Sequence, residues 1–293
     1  MRRIIMKKAI CLTLLSLCVM GTSALYAQQR EVEPVEFRKI SDGLYEIVGG
    51  RGARGGAYIG DNGVLVIDAK MDESSVTQVM DGIRQMTDKP ITYLVNTHSD
   101  GDHVWGNQFF PETVTIVAHE NCRNEFFHTK RDGSPSDWNN PDLASFLPSL
   151  TFTNRMDIYL GSKKVELWHF GTGHTTGDAV VFFPEEKTAF VGDQIFLERI
   201  QLIHSYKGGN SFAHVKTLTK MLETLDAEHF CSGHSEMTDR DGIQNHIIQM
   251  KNRQEKVKEL VAQGKTPEEV KSAFQEDEAR LVSSIYEEVK SME

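Results

Sequence analysis

A chain of 293 residues, 39% hydrophobic and 25% charged, is long enough to bury a sizeable core as one α/β domain. With 32 basic residues against 42 acidic ones its net charge is −10 at pH 7, and no basic stripe interleaved with aromatics occurs. That combination repels polyanions and excludes a protein that grips a nucleic-acid backbone through Lys and Arg.

The N-terminus begins Met1-Arg2-Arg3, adds Lys7 and Lys8, continues through an apolar run from Ala9 to Met20 and reaches Ala24-Leu25-Tyr26-Ala27. This order reads as a signal peptide, residues 1–27, cleaved after Ala27, and predicts export to a bacterial periplasm. The apolar run is too short for a membrane span. Neither Cys11 nor Cys18 follows the small residue of a lipoprotein signal, so no membrane anchor is expected. Cleavage leaves 28 basic residues against 42 acidic ones, a net charge of −14, and two cysteines, Cys122 and Cys231. One possible disulfide says little about redox compartment.

Residues 28–250 read as the catalytic domain, with strands and helices alternating. Val35 to Gly60 predicts short strands around the glycine-rich turn Gly49 to Gly56, a hairpin flap. It is not a phosphate loop, because it lacks Gly-Lys-Ser/Thr and leads into the strand Val64 to Asp68 where a helix would be needed. Arg51 and Arg54 are candidates to meet an anionic substrate group, although solvated arginines are the commoner case. A helix is expected at Glu73 to Met86, a buried strand at Ile91 to Asn96, a strand at Val114 to Ala118 and a helix at Glu120 to Lys130. Residues 131–149 form a long irregular insert, read either as a lid with Trp138 or Phe146 as its apolar contact or as ordinary surface packing. Strands follow at Ile158 to Leu160, Val165 to His169, Ala179 to Phe183 and Thr188 to Val191, then a helix at Ser211 to Leu225 and a strand at His229 to Cys231. Thr266-Pro267-Glu268-Glu269 is a capping box with proline at the first helical position. Residues 251–293 read as a helical appendage that supplies no ligand.

The densest chemistry lies at the end of the Ile91 to Asn96 strand. Thr97-His98-Ser99-Asp100-Gly101-Asp102-His103 puts four groups able to hold a divalent cation, His98, Asp100, Asp102 and His103, on one strand-end loop. Imidazole and carboxylate suit zinc, iron or manganese, and such a cluster serves two ions only if distant segments complete both shells. Three candidates follow in order: His174 in Gly171-Thr172-Gly173-His174, Asp193 in Phe190-Val191-Gly192-Asp193, and His234 in Cys231-Ser232-Gly233-His234. Each alone is an ordinary loop residue; the ordered set is specific. Cys231 reads as a small buried strand residue. The other histidines lack motif support, and His204, in the segment after Asp193, is the least certain of them.

On these residues the chain resembles the metallo-β-lactamase-fold superfamily, whose pattern is H-x-H-x-D-H, then a His, then a bridging Asp or Cys, then a late Gly-His. The resemblance spans roughly residues 36–250 and implies a four-layer αβ/βα sandwich of two mixed β-sheets with the metal site along one edge. Carried over, it implies that His98, Asp100 and His174 hold one ion, that Asp102, His103 and His234 hold the other, and that Asp193 bridges them. The departure is Asp100, which stands where most of the family has its second histidine. Three carboxylates then oppose two divalent ions, and a bridging hydroxide brings the core to about neutrality, whereas the common form keeps a net positive charge. Zinc is the first expectation for the two divalent ions; the extra oxygen ligand also admits iron or manganese. The implied chemistry is attack of a metal-bound hydroxide, held in line by Asp102 or Asp193, on an ester, thioester, lactam or amide-type carbonyl of a small molecule. Lactamase action itself has only weak support in the sequence. In one lactamase subclass a lysine three residues after the bridging position grips the drug's carboxylate, and here Phe196 stands there; Arg199 or Lys207 substitutes only if the following loop folds back. A di-iron redox enzyme of the same fold and a metal-binding protein without turnover are the alternatives.

Overall fold

The computed structural model describes residues 32–130 and 132–292; the expected signal peptide lies outside them. One sheet holds β1 (Glu36–Ser41), β2 (Leu44–Val48), β3 (Gly55–Ile59), β4 (Val64–Ile67), β5 (Ile91–Val95), β6 (Thr115–His119) and β7 (Leu150–Phe152) in that order. Its first four strands run antiparallel and its last four parallel. The second holds β8 (Arg155–Leu160), β9 (Lys163–Trp168), β10 (Val180–Phe183), β11 (Thr188–Gly192) and β12 (His229–Ser232), antiparallel except for β11 with β12.

Parallel neighbours need a crossover, and helices supply it. In the first sheet α1 (Glu73–Met86) links β4 to β5, the short α2 (Gly101–Val104) lies between β5 and β6, and α3 (Glu120–Glu125) follows β6. In the second α4 (Ser211–Thr224) links β11 to β12, and α5 (Arg240–Ala262), α6 (Pro267–Ser272) and α7 (Ala279–Lys290) follow. Asp72 caps α1 by accepting the Ser75 N–H, while Val76, Val79 and Ile83 bury one face, the spacing of an amphipathic helix.

The layers follow from which faces are apolar. Leu44, Tyr58, Leu65 and Val95 of the first sheet meet Leu160, Leu167, Val181 and Phe190 of the second in one core. On the first sheet's far side Ala57, Val66 and Leu94 pack against α1. On the second sheet's far side Val180, Val191 and Phe230 pack against Leu218 of α4, Ile243 and Val257 of α5 and Ile285 of α7. This is the four-layer sandwich of two mixed sheets. Residue 250 falls within α5, and the C-terminal helices share their core with the second sheet. No helix of the described residues is long and apolar enough to cross a membrane.

Residues 132–149 depart from the expected lid. α3 stops at Glu125, and two short 3-10 turns at Asp137–Asn139 and Pro141–Phe146 fold the segment back. Trp138 is buried with Val104, Ala118, Cys122, Phe126 and Leu147, its ring set edge-on to Trp105 and Phe126. Its apolar area goes to a core behind the His103 turn instead of to a pocket wall. Phe146 packs against the same core, and its backbone carbonyl accepts from the Asn107 amide. Cys122 and Cys231 are both free and buried.

Candidate metal centre

Five strand ends and loops converge on one edge of the sandwich. After β5, Thr97 donates its backbone N–H and its hydroxyl to the buried Asp68 carboxylate, which fixes the start of the motif loop. Asn96 and Asn107 exchange amide hydrogen bonds at 3.0 and 2.9 Å and tie the loop's two ends together. Between them α2 presents Asp102 and His103, with Asp100 at its N-terminal cap position. Asp193 directly follows β11 and His234 follows β12. Gly233 has to be glycine, since a Cβ there would collide with Asp193 Oδ1 and the His103 ring. Gly192 sits at φ +54°, in the left-handed region, with Thr97 against it.

All seven expected side chains come together, as two groups: His98, Asp100, His174 and Asp193, and Asp102, His103 and His234. Asp100 Oδ2 lies 3.1 Å from His174 Nε2 and 3.6 Å from His98 Nε2. Asp102 Oδ2 lies 2.9 Å from His234 Nε2. Asp193 stands between the groups: Oδ1 is 3.1 Å from His103 Nε2, and Oδ2 is 3.8, 3.9 and 3.5 Å from the Nε2 atoms of His98, His174 and His234. Donors about 2.0 Å from a tetrahedral ion sit roughly 3.3 Å apart, so these separations suit a divalent cation on each side of Asp193. The buried atoms His98 Nε2, His103 Nε2 and Asp193 Oδ1 make no hydrogen bond. Buried polar atoms without partners are rare, and here they point at one place. The donor set fits the implied metals.

Three of the four rings are held at their other nitrogen. His103 Nδ1 meets Asp68 Oδ2 at 2.7 Å, His174 Nδ1 meets the Leu202 carbonyl at 2.9 Å, and His98 Nδ1 meets Thr97 Oγ1 at 3.1 Å. Such partners set ring orientation and basicity. Burial favours a neutral His103, but Asp193 and Asp68 outweigh it and hold its pKa well above the ordinary value. Burial likewise opposes protonation of His174, yet Asp100 and Asp193 push its pKa up to about 9. Burial disfavours ionised Asp100, Asp102 and Asp193, and the surrounding imidazoles prevail in each case, keeping all three below the usual carboxylate range.

Three features had no counterpart in the motif. Asp68 was visible only as the polar end of a strand. His204 Nε2 lies 2.8 Å from Asp100 Oδ2, and Lys207 Nζ lies 2.6 Å from Asp100 Oδ1. The loop after Asp193 does fold back, but it delivers Lys207 to Asp100. Phe196 is buried and lines the centre between the His174 and His234 rings, with Arg199 stacked on it at 4.2 Å.

The glycine-rich turn between β2 and β3 is fastened to the centre: Ala53 N–H donates to the Asp102 carbonyl and Arg54 N–H to the Gly233 carbonyl. Buried Lys70 donates to the Gly49 and Ala53 carbonyls from within, and burial pushes its pKa down to about 8. A cavity of about 260 Å³ lies beside His234, lined by Arg38, Arg54, Gly50 and Gly233. Arg54 reaches this cavity already paired with Glu236 and Glu46, and Arg38 pairs with Glu236 at 2.8 Å. A larger cavity of about 440 Å³, between α1 and the start of β5, touches none of the seven side chains.

A sequence profile of the metallo-beta-lactamase superfamily matches residues 56–234. A metallo-beta-lactamase type 2 of Elizabethkingia meningoseptica is 24% identical over 251 residues, covering 82% of this chain and 94% of that protein. The 2,4-dinitroanisole O-demethylase subunit alpha of Nocardioides sp. (strain JS1661) is 26% identical over 170 residues, 56% of this chain but only 46% of the relative's length. Among solved structures, a metallo-beta-lactamase from Pontibacter korlensis superposes with a TM-score of 0.62 at 16% identity, over 74% of this chain and 99% of that one.

Proposed function

Because the chain belongs to the metallo-beta-lactamase superfamily, we propose that it is an exported hydrolase of small molecules that works with two divalent ions, zinc first among them, on an ester, thioester, lactam or amide-type carbonyl. The observation that carries this reading is the convergence of six donor side chains on a seventh, Asp193, with three buried atoms of the set, His98 Nε2, His103 Nε2 and Asp193 Oδ1, making no hydrogen bond. When bound, the two ions supply a nucleophile from water at neutral pH and polarise the oxygen of the group under attack.

The chain's own residues do the rest. Asp193, sealed among four imidazoles and ionised, orients the attacking water between the two groups. Asp102, a third exposed and beside the cavity-lining His234, takes the water's proton on its carboxylate and returns it to the leaving group. Phe196 excludes solvent behind the His174 and His234 rings. The fastened glycine-rich turn forms the cavity wall with its geometry set in advance. Negative charge speaks against nucleic-acid substrates, and the basic, apolar N-terminus supports export.

The test is elemental analysis of protein purified without chelator or added metal, followed by a screen of esters, thioesters and lactams. The relative named as an O-demethylase adds aryl methyl ethers to that screen. Near two zinc ions per chain, with hydrolysis lost on Asp193→Ala, is the expected result. Two redox-active irons without hydrolysis would replace this reading with the di-iron one.

A further inference from the structure

Asp100 puts a negative charge where the superfamily pattern has a neutral imidazole, and the loop after Asp193 answers it. Lys207 Nζ donates to Asp100 Oδ1 at 2.6 Å and to Ser99 Oγ at 2.8 Å, with its side chain only 10% exposed. His204 Nε2 meets Asp100 Oδ2 at 2.8 Å. Arg280 of α7 lies 3.2 Å from His204 Nδ1. A guanidinium only donates, so His204 Nδ1 carries the lone pair and its Nε2 carries the hydrogen. His204 is therefore a donor to Asp100 and not a further metal ligand. Oδ1 accepts from the ammonium, and Oδ2, which accepts from His204, is the oxygen that faces His174 and His98.

We propose that Lys207 is the charge partner that makes Asp100 equivalent to a neutral ligand: Asp100 and Lys207 together carry no net charge, as a histidine would. His204, held by Arg280, fixes which oxygen faces the ion. The site thereby regains the net positive charge that three carboxylates alone would cancel. Glu125 lies one hydroxyl further out, accepting from Ser99 at 2.5 Å and from Thr176, and none of the variants compared below removes these two hydroxyls. The proposal rests on the metal-centre reading and adds to it a specific electrostatic coupling between two positions.

The test is a double-mutant cycle read as zinc affinity, by competition of the apoprotein with a chromophoric chelator: wild type, Lys207→Met, Asp100→His, the double variant, and Lys207→Arg. If charge is the link, Lys207→Met removes repulsion and tightens zinc binding at the Asp100 group by at least about tenfold, the scale of a divalent ion acting on a single charge a few ångströms away even in water. Asp100→His leaves the ammonium unpaired beside the ion and weakens binding by a similar factor. The double variant returns close to wild type, and Lys207→Arg keeps wild-type affinity. A purely structural lysine gives the opposite pattern: Lys207→Met weakens binding and the double variant is worse than either single one, which overturns this proposal alone. A wild type that takes up no zinc overturns the metal-centre reading as well. Lys207→Gln, measured alongside, decides the sign if Lys207→Met does not fold.

Discussion

The Asp100 group and the Asp102 group share Asp193 but differ in what surrounds them. The side chains of His98 and His174 are 1% and 0% exposed, and Asp100 is closed in by Lys207 and His204. On the other side Asp102 and His234 are 33% and 23% exposed, and His234 borders the Arg38–Arg54 cavity. Charge explains the asymmetry. A carboxylate buried deep in the first group needs a cation and hydrogen bonds to be tolerated, whereas Asp102 keeps part of its hydration and is free to exchange protons. On the proposed function, the enclosed half holds and polarises, and the open half admits substrate and moves protons.

The largest expected effect breaks both halves at once. Asp193→Ala removes the one residue common to them, and turnover falls by at least about 10³-fold, because several kcal/mol of charge stabilisation in the transition state goes with the ions. Metal content and turnover measured on the same sample check it; retention of both ions would refute the central place given to Asp193. The next effect is proton linkage. With its pKa raised to about 9, His174 is protonated in the apoprotein at neutral pH and has to lose that proton to bind metal. Zinc affinity of the enclosed half therefore climbs with pH and levels off above pH 9, by up to about 100-fold from pH 7 if one proton is displaced. Calorimetry in buffers of different ionisation enthalpy reads the released proton directly, and an affinity flat across that range contradicts it. A change at Asp68 separates the halves. Asp68→Asn loosens His103 directly and His98 only through Thr97, so it costs about 10–100-fold in metal affinity or activity and the larger share of that loss falls on the open half. If both ions weaken equally, the two groups are less independent than their surroundings suggest.

Much of this was legible in the chain because a strand-end ligand cluster is local. His98 to His103 lie on one loop, and His174, Asp193 and His234 each follow a glycine at the end of or after a strand, so the seven donors could be named before their distances were known. The layers were legible for a similar reason: strands such as Val64–Ile67, buried on both faces, read as continuous apolar runs. What the chain hid depends on convergence. Asp68 is 35 residues from the His103 it orients, and Arg280 is 76 from His204, so spacing gave neither. His204 and Lys207 reach Asp100 only because a turn folds back, with Gly208 in the left-handed region at φ +73° closing it. Trp138 misled for the converse reason. In a segment without periodicity its burial is decided by Trp105 and Phe126, which sequence order does not reveal as neighbours.

The smallest effect concerns how the open half meets its substrate. Arg54 and Arg38 line the cavity beside His234, but Glu236 occupies both, and its carboxylate is 59% exposed. An exposed ion pair of this kind holds its partners by only about 0.2–1 kcal/mol. A substrate that carries its own carboxylate has to displace Glu236, whereas a neutral substrate does not. Glu236→Gln relieves that competition and lowers KM for anionic substrates by at most about fivefold, the rate equivalent of the same energy, with kcat unchanged. Neutral substrates of the same leaving group serve as the control and are expected to be unaffected. A KM that falls for both classes alike would mean that Glu236 blocks the cavity by its bulk and not by its charge. A KM that rises would mean that Glu236 itself holds the substrate, through a donor group, and the cavity would then favour cations over anions.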